Sequence, residues 1–103
     1  MDLWARIGGG KLPGDDEVGA FELNGQRLAV ARVDGELYAF AGDCTHEQCP
    51  LSDGYLDGLI IECPCHGARF DLTSGAVVKG PAVVPVRVYP AREVEGQIEV
   101  RLG

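Results

Sequence analysis

No stretch of this 103-residue chain repeats its apolar residues with the 3.6-residue period of an amphipathic helix, so a helical architecture is excluded. There is no basic run either. Sixteen acidic residues against nine lysines and arginines leave a formal charge of −7, which argues against nucleic acid as a partner. Met1 to Gly10 contains no long apolar segment preceded by positive charge, and such a segment would mark a signal peptide or a membrane anchor. A cytoplasmic protein that is not attached to a membrane is therefore expected. Internal repeats, low-complexity tracts and linkers are also missing, so residues 1–103 read as one small domain near the lower limit for a single core. Histidine is scarce, with His46 and His66 the only two.

What the chain does contain is a succession of short β-prone runs broken by glycine turns. Phe21 to Leu23 leads through Asn24-Gly25 to Arg27–Val33, and Asp34-Gly35 then turns the chain into Glu36–Phe40. Asn-Gly and Asp-Gly tolerate the positive φ angles of tight hairpin turns. Tyr55 to Glu62 reads as a strand pair, or as one strand kinked at Asp57-Gly58. Val84, Val86 and Val88 alternate with Pro85, Arg87 and Tyr89, which predicts a strand with the valines on one face. Val94, Glu95-Gly96, Ile98 and Val100 predict a last hairpin. The expectation is an all-β sandwich or barrel. An apolar content of 46% is ordinary for such a globular domain.

Chemistry concentrates in two segments that interrupt this pattern, 42–54 and 63–67. The first carries Cys44-Thr45-His46, and after sixteen intervening residues the second carries Cys63-Pro64-Cys65-His66. Each offers a thiolate and an imidazole on a loop, where two loops of a rigid sheet can converge on one ion or cluster. A third loop, Lys79-Gly80-Pro81-Ala82, is stiffened by proline and could lie over that site, or it is a plain turn. Four cysteines in a short chain could instead form a secreted disulfide framework, but without a signal sequence a reducing compartment and a metal role fit better.

Several metal chemistries are open to this ligand set. Structural zinc sites take two cysteines and two histidines, yet they usually pair like with like and space them more widely than Cys44 and His46. Such a site would make the chain a zinc-stabilised interaction module. Ligation of one cluster by all four cysteines has some support in the spacing of Cys44 and Cys49, but it leaves both histidines idle beside ligands. A [2Fe–2S] cluster with both thiolates on one iron and both imidazoles on the other uses every member of the mixed pairs. Neutral imidazoles in place of thiolates make the oxidised centre less negative and raise its reduction potential.

The pattern Cys-x-His, about sixteen residues, then Cys-x-x-His resembles that of the Rieske iron–sulfur proteins. Pro64, Gly67, the run Arg69-Phe70-Asp71 and Gly75 extend the likeness over most of the chain. It implies stacked antiparallel sheets with a cluster-binding tip made of two loops. It also implies one Rieske [2Fe–2S] cluster, with Cys44 and Cys63 on the inner iron and His46 and His66 on the outer, more exposed iron. In the cytochrome bc branch of the family each loop carries a further cysteine, and the two form a bridge. Cys49 and Cys65 stand at those places, so the likeness implies a disulfide between them, with two packed free thiols as the alternative.

Differences from that branch carry information too. Its second loop resembles Cys-Pro-Cys-His-Gly-Ser with a tyrosine two places on, and those hydroxyls donate hydrogen bonds to the cluster sulfurs. Ala68 and Phe70 stand there in this chain and have no hydroxyl to give. Fewer donors mean less stabilisation of the reduced cluster, so a potential at the low end of the Rieske range is expected, roughly −150 to 0 mV. Small low-potential domains of this kind resemble the ferredoxin components of bacterial multicomponent oxygenases. The implied function is one-electron carriage, without substrate turnover, from a flavin-dependent ferredoxin reductase to a terminal oxygenase, with the carrier a monomer. Docking is expected through the tip bearing His46 and His66, flanked by Gln48 and Pro81. The acidic charge would speed encounter, or merely keep the domain soluble. The other reading within reach of the likeness is the small Rieske-like subunit of a nitrite reductase, although many such subunits lack the four ligands present here.

Overall fold

The structure is a computed structural model that describes residues 4–8, 12–45 and 49–101. Those residues form strands and a single 3-10 turn at Leu51–Asp53, arranged in three antiparallel sheets. Trp4–Arg6 (β1), Ala91–Val94 (β10) and Gln97–Arg101 (β11) make one sheet in the order β1-β11-β10. The second contains Glu17–Leu23 (β2), Gln26–Val33 (β3), Glu36–Ala41 (β4) and Val88–Tyr89 (β9), in that order. Tyr55–Asp57 (β5), Ile60–Glu62 (β6), Arg69–Asp71 (β7) and Val77–Lys79 (β8) make the third, also in that order. No helix among the described residues is long and apolar enough to cross a membrane.

Local chemistry sets the hairpins. Asn24 and Gly25, Asp34 and Gly35, and Glu95 and Gly96 all have φ between 51° and 80°, the left-handed pair demanded by a two-residue turn that matches strand twist. Tyr55–Glu62 resolves into the strand pair, with Gly58 at φ 57° in its turn.

The centre of the middle sheet is buried on both faces, and β3 shows how. Leu28 and Val30 join Ile7, Phe21, Ala39, Tyr89, Ile98 and Val100 in one apolar cluster, facing the β1-β11-β10 sheet. Ala29 and Ala31 point the other way, into a cluster with Phe40, Ile61, Phe70 and Leu72 of the third sheet's side. Large residues meet small ones across the ladder: Ala29 lies opposite Phe40, and Val30 opposite Ala39. Such alternation fills both layers without overpacking either.

The expected valine strand is largely not a strand. Only Val88–Tyr89 pairs, with Ala39 and Phe40 of β4. Val84 is exposed and Val86 buried, so the valines do not share one face. Residues 80–87 instead form a loop that enters through the cis Gly80–Pro81 peptide and carries a second proline, Pro85, which cannot donate to a ladder.

Candidate metal centre

Three loops meet at one end of the third sheet. The first, 42–54, leaves β4 and is closed at its base by backbone bonds from Leu51 N–H to Gly42 C=O (2.8 Å) and from Cys44 N–H to Cys49 C=O (2.9 Å). Gly42 is required there, because a Cβ would come within 2.9 Å of Arg27 backbone. Arg27 also reaches Asp43 at 3.3 Å, securing the loop's first residues. The base thus holds Cys44 and Cys49 on opposite shoulders.

The second loop is a hairpin between β6 and β7. Cys63 N–H donates to Ala68 C=O at 2.8 Å, and Gly67, at φ 76°, donates to Cys63 C=O at 3.2 Å. Just below, Arg69 Nε meets its cross-strand partner Glu62 at 2.8 Å, a half-exposed pair that helps hold the mouth of the hairpin shut. The third loop, 80–87, buries Ala82 and Val86 in the same apolar cluster as Cys44 and Cys63. Val86 N–H donates to Gly75 C=O (2.9 Å), and Ala41 N–H to Arg87 C=O (2.9 Å). Its crest is tied to the first loop, where the Thr45 hydroxyl donates to Val84 C=O at 2.6 Å.

Of the six cysteines and histidines singled out from the sequence, the structure describes five. His46 lies outside the described residues, as does Gln48. Cys44 and Cys63 are free thiols, 4% and 2% exposed, at the end of the apolar cluster. Burial pushes the Cys63 thiol above its ordinary range. Opposing that, the backbone N–H groups of Cys65 and His66 donate to its sulfur; the Cys44 side chain lies in hydrogen-bonding contact with it. Cys49 and Cys65 are joined by a disulfide with a Cα separation of 6.4 Å. The Cys63 sulfur lies beside it, all three sulfur atoms being within 4.8 Å of one another. His66 is exposed at the tip.

Among the described residues, Cys44, Cys63 and His66 are donors of the kinds that a [2Fe–2S] cluster of mixed ligation takes. Two adjacent thiols sit in an apolar pocket, where a thiolate is costly unless a metal holds it, and amide donors already aim at one of the sulfurs. With Cys49 and Cys65 spent on each other, only Cys44 and Cys63 remain as thiol donors, two short of ligation by four cysteines. In sequence Thr45 stands only as the residue between Cys44 and His46. The available signal was a hydroxyl where only a spacer was needed.

Comparison with known proteins agrees with this geometry. Over 89 residues the chain is 40% identical to the anthranilate 1,2-dioxygenase ferredoxin subunit of Burkholderia cepacia, spanning 86% of this chain and 82% of that protein. It superposes on the ferredoxin of Sphingomonas yanoikuyae B1 with a TM-score of 0.85 at 35% identity, over 96% of this chain and 98% of that one. A chain in a complex of reduced oxygenase and oxidized ferredoxin, from carbazole 1,9a-dioxygenase, matches with a TM-score of 0.84 at 32% identity, over 98% of this chain and 94% of that one. The profile of the Rieske [2Fe-2S] domain matches residues 8–90, and with these likenesses the chain belongs to the Rieske [2Fe-2S] domain family.

Proposed function

We propose that this protein is the ferredoxin component of a multicomponent oxygenase system, carrying single electrons from a flavin-dependent reductase to a terminal oxygenase. The observation that supports it most directly is the buried pair Cys44 and Cys63, with an exposed His66 on the same loop as Cys63, on a chain similar along most of its length to dioxygenase ferredoxins. Cys44 and Cys63 would hold the inner iron, and His46 and His66 the outer one. Bound there, the [2Fe–2S] cluster supplies reversible one-electron storage. The protein's residues do the rest. The apolar cluster keeps water from the thiolates, and the amides of Cys65 and His66 stabilise charge on Cys63. His66, at the surface, offers a short path outward.

The docking face in this reading is the tip itself. Pro81 is exposed there, as are Val83 and Val84 at 87% and 54%, on a loop segment without a charged side chain. A small, uncharged contact suits a carrier that must release quickly, while the charge of −7 steers its approach. Action as a monomer in the cytoplasm belongs to the same proposal. The nitrite-reductase subunit reading has less support, since the relatives described above are ferredoxins.

The deciding experiment is EPR of the purified protein before and after dithionite, with pulsed detection of nitrogen coupling. A signal that appears on reduction and couples to two imidazole nitrogens is expected. A reducible cluster without nitrogen coupling would refute the histidine ligands, and a colourless zinc protein would refute electron carriage.

A further inference from the structure

Thr45 stands between Cys44 and His46, and its side chain reaches the third loop. A hydroxyl has one proton, and the Thr45 proton is given to Val84 C=O at 2.6 Å, across 39 positions of sequence. It is therefore not donated to a sulfur. The loop it grips is anchored by Val86 N–H to Gly75 at one end of the crest, and its inner side chains, Ala82 and Val86, pack in the cluster that contains Cys44 and Cys63. Its outer side chains, Val83 and Val84, face solvent. The loop is thus a wall of the metal site, and Thr45 supplies a tether at its crest.

We propose that Thr45 is a positioning residue. Its hydroxyl clamps residues 80–87 against the first ligand loop, and this closed wall keeps the cluster's reduction potential low. The proposal rests on the reading of Cys44 and His46 as ligands. Reduction adds negative charge to the site, and water stabilises that charge better than packed aliphatic groups do. Lifting the wall admits water, so the potential rises. A hydroxyl acting instead as a direct donor to a cluster sulfur has the opposite sign, because its loss lowers the potential.

That sign makes the test decisive. Thr45→Val keeps the shape and removes the hydroxyl, and Thr45→Ser restores it. Midpoint potentials of the holoproteins are measured by spectroelectrochemistry. Amide hydrogen exchange over residues 80–87 is followed by mass spectrometry in both the holo and the cluster-free proteins. Thr45→Val is expected to raise the midpoint and to speed exchange at the loop crest roughly fivefold, with Thr45→Ser matching the parent in both. A midpoint that falls or stays unchanged in Thr45→Val overturns the proposal, and so does unaltered exchange. Should Thr45→Val fail to take up a cluster, exchange in the cluster-free proteins still decides. A failure of the ligand reading would show separately, as missing nitrogen coupling in the parent protein.

Discussion

Cys49 and Cys65 lie on different loops, sixteen positions apart, and their disulfide fastens those two loops to each other beside the Cys63 sulfur. Closing a loop of this length removes chain entropy from the unfolded state, worth about 3 kcal/mol. Cys49→Ser with Cys65→Ser is therefore expected to lower the unfolding free energy of the cluster-free protein by that order. The holoprotein should also lose its colour faster in the presence of an iron chelator. Urea denaturation and visible bleaching read the two effects; equal stability of the double variant and the parent would show that the bridge contributes nothing.

His66→Cys replaces a neutral ligand by an anionic one. Cluster uptake should persist with a lower midpoint, since each redox state then carries more negative charge. Spectroelectrochemistry checks it, and an unchanged midpoint would mean that His66 is not a ligand.

Ala68 and Phe70 are buried in the cluster that holds Cys44 and Cys63, and neither can donate a hydrogen bond from its side chain. Ala68→Ser and Phe70→Tyr each add a hydroxyl in that cluster, at the positions where the likeness to the cytochrome bc branch implies a donor to the sulfurs. One bond strengthened by about 1.4 kcal/mol on reduction corresponds to roughly 60 mV for a one-electron couple, so upward shifts of this order are expected. Downward shifts would contradict the account of the low potential.

Gly75 has φ 81°, and a Cβ there would collide with the Val86 carbonyl. Gly75→Ala should destabilise the fold by about 2 kcal/mol, through backbone strain and displacement of the third loop. Thermal unfolding of the cluster-free protein measures the cost.

The Thr73 hydroxyl and backbone N–H both donate to Asp71 Oδ1, at 2.6 and 2.8 Å, and hold its carboxyl below the ordinary range. A folded-state pKa lower than the unfolded one means that the unfolded chain binds more protons on acidification. This contribution is complete above about pH 4 and is lost as pH falls through the lowered value. Thr73→Val removes the hydroxyl's share, so the variant's stability should fall less between pH 5 and pH 3, on the order of that range, than the parent's.

Much of this architecture is legible because its causes are local. Asn24-Gly25 and Asp34-Gly35 turn between β-prone runs because Asn, Asp and Gly tolerate the positive φ; in Glu95-Gly96 the glycine marks the turn, and the hairpin holds Glu95 at φ 52°. The mixed Cys–His pairs, and the family likeness they carry, pointed to the same two loops that the structure brings together. The valine alternation at 84–88 misled, because prolines and distant anchors at Gly75 and Thr45 govern that segment more than its own periodicity does.

Local sequence specifies the turns, the all-β character and the supply of thiols and imidazoles, all of which depend on neighbours in the chain. The pairing of β9 with β4 and of β1 with β11 comes from the folded whole. The same fold places Cys44 against Cys63 and makes Thr45 a tether across the third loop. These relations join residues far apart in sequence, and packing of the whole core selects them, so no local pattern specifies them.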